Sequence, residues 1–98
     1  MDEATTISHV TAHAQAVVRG DMDAIVADFS EELRPQVPQL AQLLPQPTTA
    51  CEVQQIEVGD DESISTIRYS GEVSAITIRA RWREQGDRPV IVHAEPVS

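Results

Sequence analysis

The sequence contains no lysine, no asparagine and only one cysteine among its 98 residues. Because a single thiol cannot form an intramolecular disulfide, Cys51 suits a reducing compartment. Aromatic rings are also scarce: with only Phe29, Tyr69 and Trp82 present, the core must be mainly aliphatic and offers few platforms for stacking flat ligands. No apolar run approaches the roughly 18 residues that cross a bilayer, and the start of the chain lacks a signal-peptide pattern. We therefore expect a cytoplasmic protein.

Basic side chains are few, which leaves a formal net charge of -9. The phosphate groups of nucleic acids and of anionic membranes repel such a chain, so we expect neither as a partner. The charge is also uneven: residues 1–62 carry twelve acidic side chains and two arginines, whereas residues 63–98 carry four acidic side chains and five arginines. A chain of this length is typical of one domain, which we assign to residues 1–98.

Apolar residues recur at helical spacing in the first half of the chain. They predict a helix over about 4–19, ended by Gly20, and a second helix over about 22–33, ended by Pro35. A third, short helix is predicted over about 38–44, with a proline near its first turn. The amphipathic pattern indicates that each helix buries one face.

The second half of the chain alternates apolar and polar residues with the period of two that is typical of strands. Turn signals rich in glycine, aspartate and serine separate four such segments, at residues 50–58, 63–69, 73–83 and 88–95. Three successive hairpins make a four-stranded antiparallel meander. The predicted fold class is therefore α+β, with two to three N-terminal helices packed on a curved sheet.

The last hairpin determines which residues share a face of the sheet. A three-residue loop, Glu84–Gly86, would put glycine at the position that needs a positive φ and would set Ala80 opposite Val90. A loop with an even number of residues would mix apolar and polar side chains on both faces, so we favour the three-residue loop. The face away from the helices would then carry Arg79, Arg81, Ile91, His93 and Glu95. Tyr69 joins them if the preceding hairpin also has a three-residue loop, so this face would combine apolar, tyrosine and arginine side chains.

That mixture is typical of protein interfaces, where tyrosine and arginine are enriched and lysine is depleted. The simplest partner is a second copy of the chain, and we predict a homodimer through this outer face of the sheet. The alternative is the ordinary back of a sheet, since scattered apolar residues are common on protein surfaces.

Histidines and acids were considered as candidates for metal binding and proton transfer. His9 and His13 stand four residues apart, a spacing that can present two imidazoles to one metal ion. They fall on different sides of the predicted helix and no third ligand is near, so we predict no metal and no cofactor. His13, at the edge of the apolar stripe, could be a general base or a hydrogen-bond donor at a pocket rim. The alternative is a partly exposed packing residue.

Further residues are candidates for chemistry. Asp28 flanks the apolar stripe of the second helix, and His93 and Glu95 share a face of the last strand, so a carboxylate and an imidazole could share proton transfer. We favour the alternative, in which His93 and Glu95 are a salt-linked interface pair. Trp82 is predicted to point towards the helices. A side chain that fills the core is a simpler interpretation of it than a surface on which a ligand stacks. Cys51 has no basic neighbour in the sequence to activate its thiol, so a nucleophilic role is not expected.

Residues 20–29 (GDMDAIVADF) and the order of the elements resemble the nuclear transport factor 2-like superfamily, which includes SnoaL-like polyketide cyclases and ketosteroid isomerases. The resemblance implies a cone-shaped fold, dimerisation through the outer sheet face, and a pocket between helices and sheet. We would expect His13, Trp82, Phe29 and Ile78 to bound that pocket. No position matches the acids and tyrosine of the superfamily's enzymes, so no catalytic residue is assigned.

Two functional hypotheses follow. The first is a non-catalytic, homodimeric binding or accessory protein, favoured because paired catalytic groups are lacking. The alternative is a small-molecule enzyme of the isomerase or cyclase type that takes a small apolar ligand between helices and sheet. A filled interior would favour the first hypothesis, and an open cavity that reaches His13 would favour the second.

Overall fold

A computed structural model of the chain describes residues 1–97, and three α-helices precede a sheet in it. The helices are α1 (Glu3–Arg19), α2 (Met22–Ala27) and α3 (Val37–Gln42), and a 3-10 turn at Arg34–Gln36 leads into α3. The strands are β1 (Ala50–Val58), β2 (Glu62–Ser70), β3 (Ala75–Gln85) and β4 (Arg88–Val97). The strand order is β1-β2-β3-β4, and every neighbouring pair is antiparallel. The predicted α+β class and the meander are confirmed.

The corner between α1 and α2 follows from its capping residues. The Asp2 carboxylate accepts a hydrogen bond from the Thr5 backbone N–H at 2.8 Å and begins α1. Gly20 ends α1 with φ at 73°, a left-handed conformation that glycine adopts without strain. The Asp21 carboxylate then accepts from the Ala24 backbone N–H at 3.2 Å, and this hydrogen bond holds the pKa of Asp21 below its ordinary value.

The second helix is shorter than predicted. It ends at Ala27, because the next residues pair with β4 instead of continuing the helix. Ser30 donates its backbone N–H to the Ile91 carbonyl at 2.9 Å, and Ile91 donates its own to the Asp28 carbonyl at 2.7 Å. Phe29 and Ile91 form an isolated parallel bridge. This bridge covers part of the free edge of β4 and fixes the position of Asp28.

The predicted loop of the last hairpin is wrong. Gln85 pairs with Arg88, so the loop is the two-residue segment Gly86–Asp87, with Gly86 at φ 66°. A bulge at Val92 then shifts the register between the Arg81–His93 and Trp82–Ile91 pairs. A two-residue loop alone would place apolar and polar side chains of β4 on the same face. The extra residue of the bulge restores the separation of apolar and polar side chains between the two faces. The sheet therefore keeps one apolar face without the three-residue loop.

The preceding hairpin also differs from the pattern assumed above. Ser70 pairs with Ala75, which leaves a four-residue connection, and Tyr69 pairs with Ile76. Tyr69 and Ile67 consequently share the helix-facing side of the sheet with Ile78. Both Tyr69 and Ile67 are 3% exposed.

The core lies between α1 and the inner face of the sheet. Trp82 is fully buried, and its indole Nε1–H donates to the Ser65 Oγ at 2.9 Å. Val10 and Ala14 of α1 are fully buried too. The remaining core is aliphatic with two rings: Val17, Phe29, Leu33, Val37, Ile67, Tyr69, Ala80 and Ile91.

Candidate functional site

A buried hydrogen bond joins α1 to the residue that follows α2. His13 belongs to the buried face of α1, and its Nδ1 lies 2.8 Å from Oδ2 of Asp28. Their side chains are only 8% and 10% exposed. Because a carboxylate can only accept, Nδ1 carries the proton and donates it to Asp28. The opposite ring nitrogen, Nε2, makes no hydrogen bond with any of residues 1–97.

A guanidinium contacts the same carboxylate. The Arg88 guanidinium at the start of β4 donates from one Nη to Oδ1 of Asp28. Asp28 therefore binds an imidazole on one oxygen and a guanidinium on the other, and both contacts keep its negative charge balanced in the interior. Arg88 is 41% exposed, so this cluster connects the buried His13 to the protein surface.

Two aromatic rings hold the imidazole in place. The His13 ring centroid lies 5.6 Å from that of Trp82 and 5.9 Å from that of Phe29, and both contacts are edge-to-face. Such packing on two sides, with Nδ1 bound to Asp28, leaves the ring little freedom to rotate. Nε2 is therefore the ring nitrogen without a hydrogen bond, on a residue that is held in one orientation.

An open cavity of about 410 Å³ lies between the helices and the sheet, and His13 is part of its wall. The lining is strongly apolar. α1 and α2 form one side, α3 and the chain after it form another, and the inner face of the sheet forms the floor. Its apolar wall includes Val17, Ile25, Phe29, Val37, Leu40, Leu44, Pro45, Ile67, Ile78, Ala80, Ile91 and Ala94.

The residues predicted to bound a pocket come together as follows. His13, Phe29 and Ile78 line the cavity. Trp82 does not line it but packs directly behind the His13 ring. The interior is not filled, which was the condition that would favour the first hypothesis. Leu40, Phe29 and Ile78 surround the space instead of occupying it.

Tyr69 is a cavity residue that the sequence assigned to the opposite face. It lines the cavity and is 3% exposed. Burial raises the pKa of the Tyr69 hydroxyl above its ordinary value of 10, and the nearby Cys51 and Asp28 raise it further. The phenol is therefore neutral throughout the physiological range and keeps its proton for donation.

The predicted dimer face is divided between the two sides of the sheet. Tyr69 and Ile91 are buried beneath the helices, because the Val92 bulge and the four-residue loop changed both registers. Arg79, Arg81, His93 and Glu95 do lie exposed on the outer face.

Opposite charges alternate on this outer face. Glu62 lies 3.7 Å from Arg81 and 3.8 Å from Arg83, and His93 lies 3.6 Å from Glu95. The face is consequently more charged and less apolar than the sequence predicted.

Several residues of the site were missed from the sequence. The sequence indicates only a strand position for Arg88, and it offers no partner for Asp28. Residues 13, 28 and 88 are far apart in the chain, and no periodicity links them. One feature of the sequence does point to the pair. His13 and Asp28 each border the apolar stripe of a predicted helix, where a polar side chain can be buried.

Residues 1–97 contain no group of three histidine, cysteine or acidic side chains placed to hold a metal ion. In the same part of the chain, no helix combines the length and the apolar character that crossing a membrane requires.

The fold is similar to that of one solved structure, RPA3114, a SEC-C motif containing protein from Rhodopseudomonas palustris. The TM-score is 0.61 and the sequence identity 17%, and the match covers 86% of this chain and 72% of that one. At this identity the likeness concerns the fold alone. No protein-family model matches the chain, and no curated protein sequence does. The resemblance to the nuclear transport factor 2-like superfamily is therefore wrong: the similar structure belongs to a SEC-C motif protein, a different fold family.

Proposed function

We propose that this chain binds a small, mainly apolar molecule in the cavity between its helices and its sheet. The observation that carries the proposal is the open cavity of about 410 Å³ with the buried His13 in its wall. Cavities that bind small molecules are typically about 300–1,000 Å³ and combine apolar walls with a few placed polar groups. Both features are present here.

The energetics of the site support the same proposal. A buried histidine and a buried aspartate add little to stability compared with apolar residues of the same size. Here the pair instead fixes one imidazole nitrogen and leaves Nε2 available at the cavity. An apolar ligand with one polar group would bury its carbon atoms against the walls, at about 25 cal/mol per Å² of apolar area, and would hydrogen-bond to Nε2.

The homodimer is not included in this proposal. It was predicted from an outer face that carried Tyr69 and Ile91, and both residues are buried beneath the helices. Without them, the exposed arginines and acids give no apolar centre for a stable interface. Ligand binding in the cavity requires only one copy of the chain.

The binding experiment uses naphthalene as an apolar probe, followed by chemical-shift changes of the backbone amides. We expect saturable shifts at the cavity walls. Ala94→Phe fills the cavity from β4 and should weaken binding by at least about tenfold, because the probe's space is taken. Ala75→Phe is the matched control, since the same substitution stands at an exposed position of the neighbouring strand. Shifts that do not saturate, or equal binding by both variants, would contradict the proposal.

A second candidate function is proton transfer by His13, favoured by its hydrogen bond to Asp28. In such a pair the carboxylate orients the imidazole and stabilises the imidazolium that forms when Nε2 takes a proton. The surrounding apolar wall would strengthen this effect by excluding water.

A nitrobenzisoxazole tests this second function. The proton on its ring carbon passes to Nε2, the C–H electron pair forms the nitrile triple bond, and the N–O bond breaks to a phenolate. We expect a rate above buffer that His13→Gln abolishes and Asp28→Asn lowers by about 10²-fold or less. His9→Gln, on the same helix but outside the cavity, is the control. Equal rates for His13→Gln and the unmodified chain would exclude His13 as the base.

A further inference from the structure

The hydroxyl of Tyr69 has no hydrogen-bond partner among residues 1–97. The side chain is nevertheless 3% exposed, and it lines the apolar cavity. Buried polar groups without a partner are rare in folded proteins, because an unmade hydrogen bond in the interior costs about 1–3 kcal/mol. Among residues 1–97, Arg88 Nε is the one fully buried side-chain nitrogen or oxygen without a partner, so the Tyr69 hydroxyl retains accessible surface at the cavity wall and is available to a molecule that enters.

Two other hydrogen-bond donors at the cavity already have an acceptor within the protein. The Thr48 hydroxyl donates to the Pro45 carbonyl at 2.7 Å. His13 donates from Nδ1 to Asp28. Tyr69 differs from them because it reaches the cavity with its O–H uncommitted.

The direction of the missing hydrogen bond follows from the protonation of the phenol. Burial keeps the pKa of Tyr69 raised, and so the group stays neutral at physiological pH. A neutral phenol offers one O–H to donate. The phenol oxygen can also accept, but the O–H is satisfied only by an acceptor on the ligand, and in an otherwise apolar molecule this is an oxygen such as that of a ketone, aldehyde or ester.

We propose that Tyr69 determines ligand specificity, and that the cavity takes small apolar molecules that carry a carbonyl oxygen in preference to hydrocarbons of the same shape. This inference rests on the proposed function, because it assumes that a molecule enters the cavity. Sites that hydrogen-bond their ligand reject analogues without the bonding group, since the buried donor is then left unpaired.

The test compares two ligands of matched shape, acetophenone and α-methylstyrene. They differ in one place, where the carbonyl oxygen of the first is replaced by a methylidene group in the second. Each is titrated into the full chain, and the dissociation constant is taken from amide chemical shifts. We expect acetophenone to bind about five- to tenfold more tightly, the range that one hydrogen bond supplies.

Two variants assign that preference to the phenol. Tyr69→Phe removes the hydroxyl and keeps the ring, so it should bring the two dissociation constants together mainly by weakening acetophenone. Thr48→Val removes a hydroxyl from another lining residue, one that is already bonded within the protein. It should leave the preference unchanged.

The outcomes separate this inference from the proposed function. Equal affinity of the unmodified chain for both ligands would overturn the specificity of Tyr69 and leave cavity binding in place. Binding of neither ligand, together with no naphthalene binding, would overturn both. A preference for acetophenone that persists in Tyr69→Phe would assign the acceptor contact to another group and overturn the role of Tyr69. Even if Tyr69→Phe does not fold, equal affinity of the unmodified chain for the two ligands would still overturn the inference.

Discussion

The Nδ1 atom of His13 lies 2.8 Å from Oδ2 of Asp28, although 15 residues separate them in the chain. Two local features bring them together. Gly20 and Asp21 turn the chain back after α1, and the backbone bonds of Asp28 and Ser30 to Ile91 stop α2 at the required point. The pair is therefore fixed from both sides: by the buried face of one helix and by the edge of the sheet.

Asp28→Asn should destabilise the fold by about 2 kcal/mol, because hydrogen bonds to a charged group contribute roughly 1.5–3 kcal/mol and the uncharged amide offers one acceptor oxygen to the two donors, His13 and Arg88. Urea unfolding followed by the fluorescence of Trp82 would measure it. Glu62→Gln is the control, since Glu62 meets two arginines on the exposed face, where ion pairs contribute about 0–1 kcal/mol. Equal losses for the two variants would show that burial of the Asp28 pair has no energetic consequence.

Ser65→Ala should lower the free energy of unfolding by about 1–3 kcal/mol, because it leaves the buried indole N–H of Trp82 without an acceptor. The change should also alter the fluorescence of the chain's only tryptophan. Ser74→Ala, an exposed position in the loop between β2 and β3, should stay within about 0.5 kcal/mol of the parent. Unchanged stability of Ser65→Ala would mean that the indole finds another partner.

Tyr69 should make the fold less stable in alkali. Its pKa is raised in the folded chain, whereas in the unfolded chain it titrates near 10. Above that pH the unfolded state releases a proton that the folded state keeps, so the free energy of unfolding falls as pH rises. Below it both states are protonated, and the group contributes no pH dependence.

Because Tyr69 is the only tyrosine, tyrosinate absorbance reports on it alone. We expect the absorbance to appear together with the loss of circular dichroism, and near pH 10 in the chain unfolded by urea. Tyrosinate formed near pH 10 in a chain that is still folded would contradict the buried position of this phenol.

Gly71→Ala should damage the cavity wall. An added Cβ would lie 2.7 Å from the Pro47 carbonyl oxygen and 2.8 Å from Cβ of Pro45, and both prolines line the cavity. The backbone must move, which costs about 1–3 kcal/mol of stability and should weaken naphthalene binding severalfold. Gly86→Ala is a matched control: its φ of 66° also makes alanine unfavourable, but the turn is outside the cavity. Equal loss of naphthalene affinity in both variants would point to general destabilisation.

The sequence predicted the first helix and all four strands closely, because their periodicity is local and strong. It failed where two distant segments compete for the same residues. Residues 28–33 have a helical pattern, but pairing of Phe29 with Ile91 satisfies their backbone in another way. It failed again at Val92, since one bulged residue in β4 exchanges the faces of Ile91 and its neighbours.

The candidate site was predicted only in part for the same reason. His13, Phe29 and Ile78 were expected at a pocket and line it. Tyr69 was expected on the outer face, because a loop one residue shorter than the observed one would have placed it there. The partnership of His13 with Asp28 and Arg88 depends on how helices dock on the sheet, which side-chain spacing along the chain does not encode.

The sequence by itself determined the α+β class, the order of the elements and the aliphatic character of the core, since these depend on composition and on repeats of 3.6 and two residues. Only the tertiary structure decided which side of the sheet is buried, where α2 ends and which charges meet. Each of these depends on a register or a docking geometry, and a change of one residue in either moves a side chain from solvent to the cavity.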